Sequence, residues 1–103
     1  MTFYVLGDED VVTGFGFASI SGCIVETREE ALKEFRKATG RELGEIGVLL
    51  ITEKVSILIE NEMMEWQLSG QFPLIVEIPD LDGHLEEKKS MLEAIREAIG
   101  LSV

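Results

Sequence analysis

The residues with the greatest potential for chemistry are three consecutive acids, Asp8, Glu9 and Asp10. They follow the β-rich run Phe3–Gly7, which predicts a first strand, and sites in open parallel sheets form at the carboxyl ends of strands. Carboxylates at such a position could hold a hard divalent cation. They could equally cap the next helix, because a carboxylate accepts hydrogen bonds from the free backbone N–H groups of a first turn. We interpret the three acids as capping and solvated residues.

A phosphate-accepting site of the kind found in response-regulator receiver domains is incomplete in this sequence. Such a site also needs an aspartate at the end of the third strand and a lysine after a later strand. Thr52 and Glu53 stand at the first of these positions, and no lysine follows Ile78 and Pro79. Metal binding and acyl-phosphate chemistry require those groups together. A receiver-like signalling module, or a small-ligand-binding α/β module, is therefore kept as the alternative interpretation.

The other candidate reactive residues are isolated from one another. His84 stands in a turn-rich segment with no second histidine, and Cys23 is the one cysteine, inside an apolar run that is typical of a small buried side chain in a reducing compartment. Trp66 is interpreted as a core residue. Because a catalytic centre needs several groups brought together, we expect no catalytic, metal-binding or cofactor-binding residues.

The charge of the chain restricts its partners. Twenty Asp and Glu oppose nine Lys and Arg, for a formal net charge of −11. Such a surface repels phosphate backbones and anionic lipids, so nucleic-acid binding is excluded and a partner with a basic face is favoured. The sequence shows no charged-then-apolar leader and no apolar run of the roughly 18 residues that span a bilayer. We expect a cytoplasmic location, peripheral to a membrane only through another subunit.

The element that positions the other residues is the continuous apolar run at 46–51. A run of that length without polar alternation is typical of a strand buried on both faces. Thr52 follows it at a capping position for the next helix. The order βαβαβαβα predicts an α/β fold, a small doubly wound four-stranded parallel sheet with helices on both faces, strand order 2-1-3-4, plus a C-terminal helix.

Helix and strand signals divide the rest of the chain. Thr27 and Glu30 have capping-box spacing, and Gly40 is predicted to end that helix in the left-handed conformation. The two glycines at 14 and 16 weaken the first helix, and Ser21 with Gly22 is expected to break it. The predicted helices are 9–19, 53–68 and 85–99, and the predicted second and last strands are 23–26 and 72–79, both nearer the sheet margin.

The helix predicted over 53–68 carries apolar residues on two sides. At about 100° per residue, one broad side, the inner stripe, is suited to face the sheet. The opposite side, the outer stripe, is interpreted in two ways: it needs a cover, which could be the C-terminal helix, a loop or another polypeptide, or it is three scattered surface apolar residues without a role. The inner stripe consists of Val55, Leu58, Ile59, Met63 and Trp66, and the outer stripe consists of Ile57, Met64 and Leu68.

The C-terminal quarter of the chain is predicted to be distinct from the sheet. Residues 1–79 form the α/β sheet domain, and residues 80–103 form a hinge and C-terminal helix of the same domain. That helix places Leu92, Ile95 and Ile99 at spacings of three and four, which makes one apolar face opposite a charged one.

The order of these motifs resembles the F subunit of the archaeal and bacterial V/A-type rotary ATPase. The resemblance covers essentially the whole chain and is carried by the order and spacing of the motifs together. The motifs are Val-Leu-Gly-Asp-Glu-Asp at 5–10, Val-Thr-Gly-Phe at 12–15, the stretch 18–22, Gly-Val-Leu-Leu-Ile-Thr-Glu at 47–53, Pro-Leu-Ile-Val-Glu-Ile-Pro at 73–79 and Ile-Arg-Glu-Ala-Ile-Gly at 95–100.

The resemblance implies a non-catalytic rotor component. The F subunit packs beside the coiled-coil D subunit in the central stalk and helps to couple ATP hydrolysis or synthesis to rotation and ion transport. It contacts the catalytic head transiently through its C-terminal helix. Carried onto this sequence, it implies a partner surface of Leu92, Ile95 and Ile99, to which we add the outer stripe. Only three residues follow Gly100, so no long C-terminal extension is expected.

Overall fold

A four-stranded parallel sheet with helices on both faces forms the body of the molecule. The computed structural model describes residues 2–80. Every neighbouring pair of strands is parallel and the strand order is β2-β1-β3-β4, so the predicted α/β sheet with order 2-1-3-4 is confirmed. The elements are β1 (Phe3–Gly7), α1 (Glu9–Gly16), β2 (Ser21–Ile24), α2 (Arg28–Thr39), β3 (Val48–Thr52), α3 (Glu53–Leu58), α4 (Glu60–Ser69) and β4 (Leu74–Ile78).

Residues 81–103 lie outside the part of the chain that the structure describes. That segment contains the predicted last helix, with Leu92, Ile95 and Ile99, and the predicted turn at His84. These stay predictions, as does the division of the chain into 1–79 and 80–103.

Strand β3 is the centre of the core. All five of its residues are buried, and it pairs with β1 on one side and β4 on the other. Its side chains alternate between two apolar clusters, one on each face of the sheet. On one face, Leu49 and Ile51 pack with residues of α2, α3 and α4; on the other, Val48 and Leu50 pack with residues of α1.

Strand β2 begins two residues earlier than predicted. Ser21 and Gly22 were expected to form a break, but they pair with Tyr4 and Val5 of β1. The two strands approach closely at this point, since a Cβ on Gly22 would lie 2.6 Å from the carbonyl oxygen of Val5 and would overlap the Val5 side chain. Gly22 is therefore required for the pairing, and its turn-forming tendency misled the prediction.

The ends of two helices differ from prediction. Helix α1 ends at Gly16 rather than at 19, and the turn that follows places Ser19 at φ 62°. Helix α2 begins with the predicted capping box of Thr27 and Glu30. At its end Gly40 has φ −87°, so the predicted left-handed glycine is wrong. Arg41 takes the left-handed conformation instead, with φ 67°.

The helix predicted over 53–68 is two helices. Helices α3 and α4 meet at Ile59, whose φ of −130° and ψ of 33° interrupt the helical hydrogen bonding. The Ile59 side chain is fully buried, and the carbonyl of Leu58 accepts a hydrogen bond from the Arg28 guanidinium of α2. Contacts with α2 and the core outweigh the local helical tendency here, which is why periodicity alone predicted one continuous helix.

Strand β4 lies at the sheet edge, as its flanking prolines predicted. It covers Leu74–Ile78, the interior of the predicted run 72–79. Edge position exposes one margin of its backbone and leaves Leu74 and Val76 more than two-fifths exposed, at 48% and 41%.

Candidate partner-binding surface

The acids and hydroxyls at the carboxyl ends of β1 and β3 serve as helix caps. Asp8 Oδ1 accepts a hydrogen bond of 2.9 Å from the backbone N–H of Val11, which confirms Asp8 as the cap of α1. The hydroxyl of Thr52 accepts one of 3.3 Å from the backbone N–H of Val55, and this cap is buried. The position where a receiver domain carries its phosphate-accepting aspartate is thus a buried threonine that begins α3.

The acids at the end of β4 also contact α3. Asp80 Oδ2 accepts a hydrogen bond of 3.2 Å from the backbone N–H of Lys54, and Glu77 Oε1 accepts one of 3.1 Å from the hydroxyl of Ser56. A carboxylate at the N-terminal turn of a helix is favoured by the helix dipole. Within residues 2–80, no three His, Cys, Asp or Glu side chains are grouped so that they could hold a metal ion.

Cys23 is half-buried and carries a free thiol rather than an activated one. It packs against the cluster formed with α2, α3 and α4, although it is less buried than the sequence predicted. Burial raises the pKa of the Cys23 thiol, and the neighbouring Glu34 carboxylate raises it further. A raised pKa lowers the thiolate fraction at neutral pH, so the environment of Cys23 opposes nucleophilic chemistry.

Trp66 joins α4 to the start of β4. Its ring packs against the core, which confirms its predicted structural role. The indole N–H donates a hydrogen bond of 2.8 Å to the carbonyl of Pro73. This contact fixes α4 beside the edge strand and so sets the position of the residues that α4 presents to solvent.

The structure separates the two stripes as the sequence predicted. Of the inner stripe, Val55, Ile59 and Met63 are buried, and Leu58 and Trp66 pack against the same cluster. The outer stripe lies in solvent, with exposed fractions of 72% for Ile57, 53% for Met64 and 82% for Leu68.

A groove runs between the outer stripe and the sheet edge. It has a volume of about 310 Å³ and lies where α3 and α4 pass beside β4. Its lining includes both apolar and acidic side chains, among them Ser56, Ile57, Glu60, Met63, Met64 and Glu77. Helix α4 itself carries three glutamates and no lysine or arginine. The surface beside the outer stripe is therefore apolar and negatively charged.

Several other exposed apolar residues were not predicted from the sequence. Phe17 and Phe72 lie in the connections that precede β2 and β4, and they are 89% and 62% exposed. Both were assigned to predicted elements, Phe17 to the first helix and Phe72 to the last strand, where an apolar residue is unremarkable. They are exposed because α1 ends at Gly16 and β4 begins only at Leu74. Correct element boundaries would have been needed to predict this.

Among residues 2–80, no helix combines the length and the apolar character that crossing a bilayer requires. The formal net charge of the full chain is −11, which opposes binding to anionic lipid surfaces.

Comparison with known proteins identifies the family. The family model of the ATP synthase (F/14-kDa) subunit matches residues 3–95. The A-type ATP synthase F subunit of Methanocaldococcus jannaschii is 34% identical over 100 residues, covering 96% of this chain and 95% of that protein. The F subunit of Methanothermobacter thermautotrophicus is 32% identical and covers 96% and 92%, and that of Thermococcus sibiricus is 31% identical and covers 100% and 98%.

The matches span the whole sheet and both helices that carry the outer stripe. They agree with the resemblance drawn from the motifs, and they favour it over a receiver-like or ligand-binding module. This chain belongs to the family of the ATP synthase (F/14-kDa) subunit.

Proposed function

We propose that this chain is a non-catalytic subunit of the central stalk, in which it binds the coiled-coil D subunit and rotates with it. As the F subunit of an A-type ATP synthase it works beside other subunits. In the proposed role it helps to couple ATP hydrolysis or synthesis to rotation and ion transport, from a cytoplasmic position peripheral to the membrane.

The observation that carries this proposal is the outer stripe. Ile57, Met64 and Leu68 are each more than half exposed on a chain whose sheet core is closed without them. Full burial of a side chain of this size stabilises by about 1.5–3 kcal/mol. A coiled coil buries its main apolar seam between its own helices, so the proposal requires additional apolar side chains on the outer face of the D subunit, and covering the outer stripe with them would supply the driving force for association.

The use of the polar groups at the strand ends supports a non-catalytic role. Asp8 and Thr52 cap helices, and Glu77 and Asp80 hydrogen bond to the first turns of α3. These polar groups therefore have a structural role, since their hydrogen bonds hold helices in place. A rotor subunit requires a rigid domain with an adhesive surface, and these contacts provide rigidity.

The predicted last helix completes the proposed partner surface. Leu92, Ile95 and Ile99 would contribute a second apolar face against the D subunit and, transiently, against the subunits of the catalytic head. These residues lie beyond the described part of the chain, so this element of the proposal rests on the sequence and the family alone.

Co-expression with the D subunit of the same organism, followed by gel filtration, tests the proposal. The wild-type chain should co-elute with the D subunit, and Ile57→Glu or Leu68→Glu should weaken the complex at least about tenfold, because each places a charge in an apolar contact. Phe17→Glu is the matched control, since Phe17 is 89% exposed at another position. Ile95→Glu tests the last helix in the same way.

Far-UV circular dichroism of each variant separates binding from folding. The proposal requires that the glutamate variants keep the wild-type spectrum and melting temperature. Absence of a complex with the wild-type chain, or equal loss of fold and binding in Ile57→Glu and Leu68→Glu, would contradict it.

A further inference from the structure

The groove beside the outer stripe combines two kinds of surface within a short distance. Ile57 and Met64 form its exposed apolar wall, and buried Met63 lies beneath them. Methionine side chains adapt to the shape of what they contact, which suits a surface that must accept an incoming side chain. At about 310 Å³ the groove has room for one long side chain rather than for a folded segment.

The charged side chains of the groove are acidic, and its neutral polar lining consists of Ser56 and Gln67. Glu60 of α4 and Glu77 of β4 both line it, and no lysine or arginine is among the residues of the described chain that do so. The hydroxyl of Ser56 lies 3.1 Å from Glu77 Oε1 and 2.8 Å from the carbonyl oxygen of Glu53, so these two acceptors share its one proton. The Glu77 carboxylate therefore lies beside α3 before any partner arrives.

We infer that this groove receives a lysine or arginine side chain that projects from a helix of the partner, with its head group between Glu60 and Glu77. The aliphatic stem of such a residue lies along apolar surface while its charged end meets the carboxylates. A long aliphatic stem with a cationic end is complementary to an apolar wall that ends in two acids. The inference rests on the proposed function, which supplies the helical partner, and it adds the chemistry that the partner must present beside its apolar row.

The charge of the chain favours this occupant over a second copy. Self-association through this face would bring α4 of each copy, with its glutamates at 60 and 65, close to the same acids of the other copy. Like charges placed opposite one another disfavour association. A basic partner is drawn to the same surface.

Neutralising the groove tests the inference. The double variant Glu60→Gln/Glu77→Gln should raise the Kd for the D subunit about tenfold and weaken its dependence on salt, because each exposed ion pair contributes modestly and is screened by ions. The amide oxygen introduced at position 77 still accepts a hydrogen bond from Ser56, so the fold is preserved. Binding is measured by titration calorimetry between about 50 and 300 mM salt, on either side of the physiological range.

Neutralising one carboxylate far from the groove provides the control, because it shows how much the net charge alone changes the Kd. Glu9→Gln on α1, on the opposite face of the sheet, alters the net charge by one unit and should change the Kd less than about twofold. Wild-type affinity in the double variant, or an effect per charge no larger than that of Glu9→Gln, overturns the inference while the stalk proposal stands. So does an isolated wild-type chain that is dimeric by sedimentation velocity and becomes monomeric in the double variant. If the wild-type chain does not bind the D subunit, both this inference and the central-stalk proposal are contradicted.

Discussion

Arg28 of α2 and Glu62 of α4 form an ion pair across the break between α3 and α4, with 2.6 Å between Nη2 and Oε2. The same guanidinium donates to the carbonyl of Leu58, the last residue of α3. One side chain from a neighbouring helix therefore contacts both sides of the interruption. The hydrogen bond from Arg28 lowers the pKa of Glu62.

Replacing Arg28 should raise the pKa of the Glu62 carboxyl group. In Arg28→Ala the pKa of Glu62 rises towards the usual value for glutamate, about 4.3, as measured by NMR titration of its carboxyl group. A depressed folded-state pKa stabilises the protein above the unfolded value, and that contribution is lost as the pH falls through the folded value. The variant should therefore lose less stability than the wild type on acidification below about pH 4.3.

Lys33→Ala provides the control for this titration, since it removes a cation from the same helix without touching Glu62. An unchanged Glu62 titration in Arg28→Ala would show that the ion pair is not formed in solution.

The close approach of β1 and β2 predicts opposite outcomes for two glycine substitutions. A Cβ on Gly22 would lie 2.6 Å from the Val5 carbonyl oxygen, whereas one on Gly16 would meet no atom within 4 Å. Gly22→Ala should destabilise by about 2–3 kcal/mol through overpacking, and Gly16→Ala should be neutral or stabilise by up to about 1 kcal/mol. Urea unfolding monitored by Trp66 fluorescence measures both, and similar midpoints for the two variants would refute the strand pairing.

The two stripes predict unequal costs for neighbouring isoleucines. Ile59 is fully buried and Ile57 is 72% exposed. Ile59→Ala should cost about 2–5 kcal/mol of unfolding free energy, because it leaves a cavity, and Ile57→Ala should stay within about 0.5 kcal/mol. Thermal unfolding of the isolated chain is the measurement. A large loss in Ile57→Ala would mean that this residue is covered within the chain itself.

The environment of Cys23 predicts slow alkylation. Because burial and then Glu34 raise its thiol pKa, the thiolate fraction is small near pH 8 and iodoacetamide should react more slowly than with an unstructured cysteine peptide. Glu34→Gln should increase the rate, since it removes the carboxylate that raises this pKa most after burial, while Lys37 continues to lower the pKa and Glu30 to raise it. A rate that is equal in wild type and Glu34→Gln would exclude this electrostatic contribution.

Much of the fold could be predicted because its signals are local. The apolar run that contains β3 fixed the centre of the sheet, and the caps at Asp8, Thr27 and Thr52 each depend on residues three positions apart. The exposure of Met64 and Leu68 follows from the helical periodicity of α4, in which they are four residues apart. These features need no knowledge of distant parts of the chain.

The errors arose where distant contacts decide the backbone. Ile59 interrupts a strongly helical segment because the core and Arg28, about thirty residues away, hold both sides of the interruption. The residue type of Gly22 predicts a turn. In the structure Gly22 lies in a strand, where its close contact with Val5 requires a glycine. The groove was not predicted for the same reason, since Glu60 and Glu77 line one groove only after β4 joins the sheet.

The interruption at Ile59 also divides the outer stripe between two helices. Ile57 belongs to a helix of six residues, and Met64 and Leu68 belong to one of ten. Their separation is therefore set by tertiary packing around Ile59 and Arg28 rather than by the pitch of a single helix. A substitution in the core or on α2 could alter the spacing of the outer-stripe residues without replacing any of them. The affinity for a partner would then respond to changes made far from the surface.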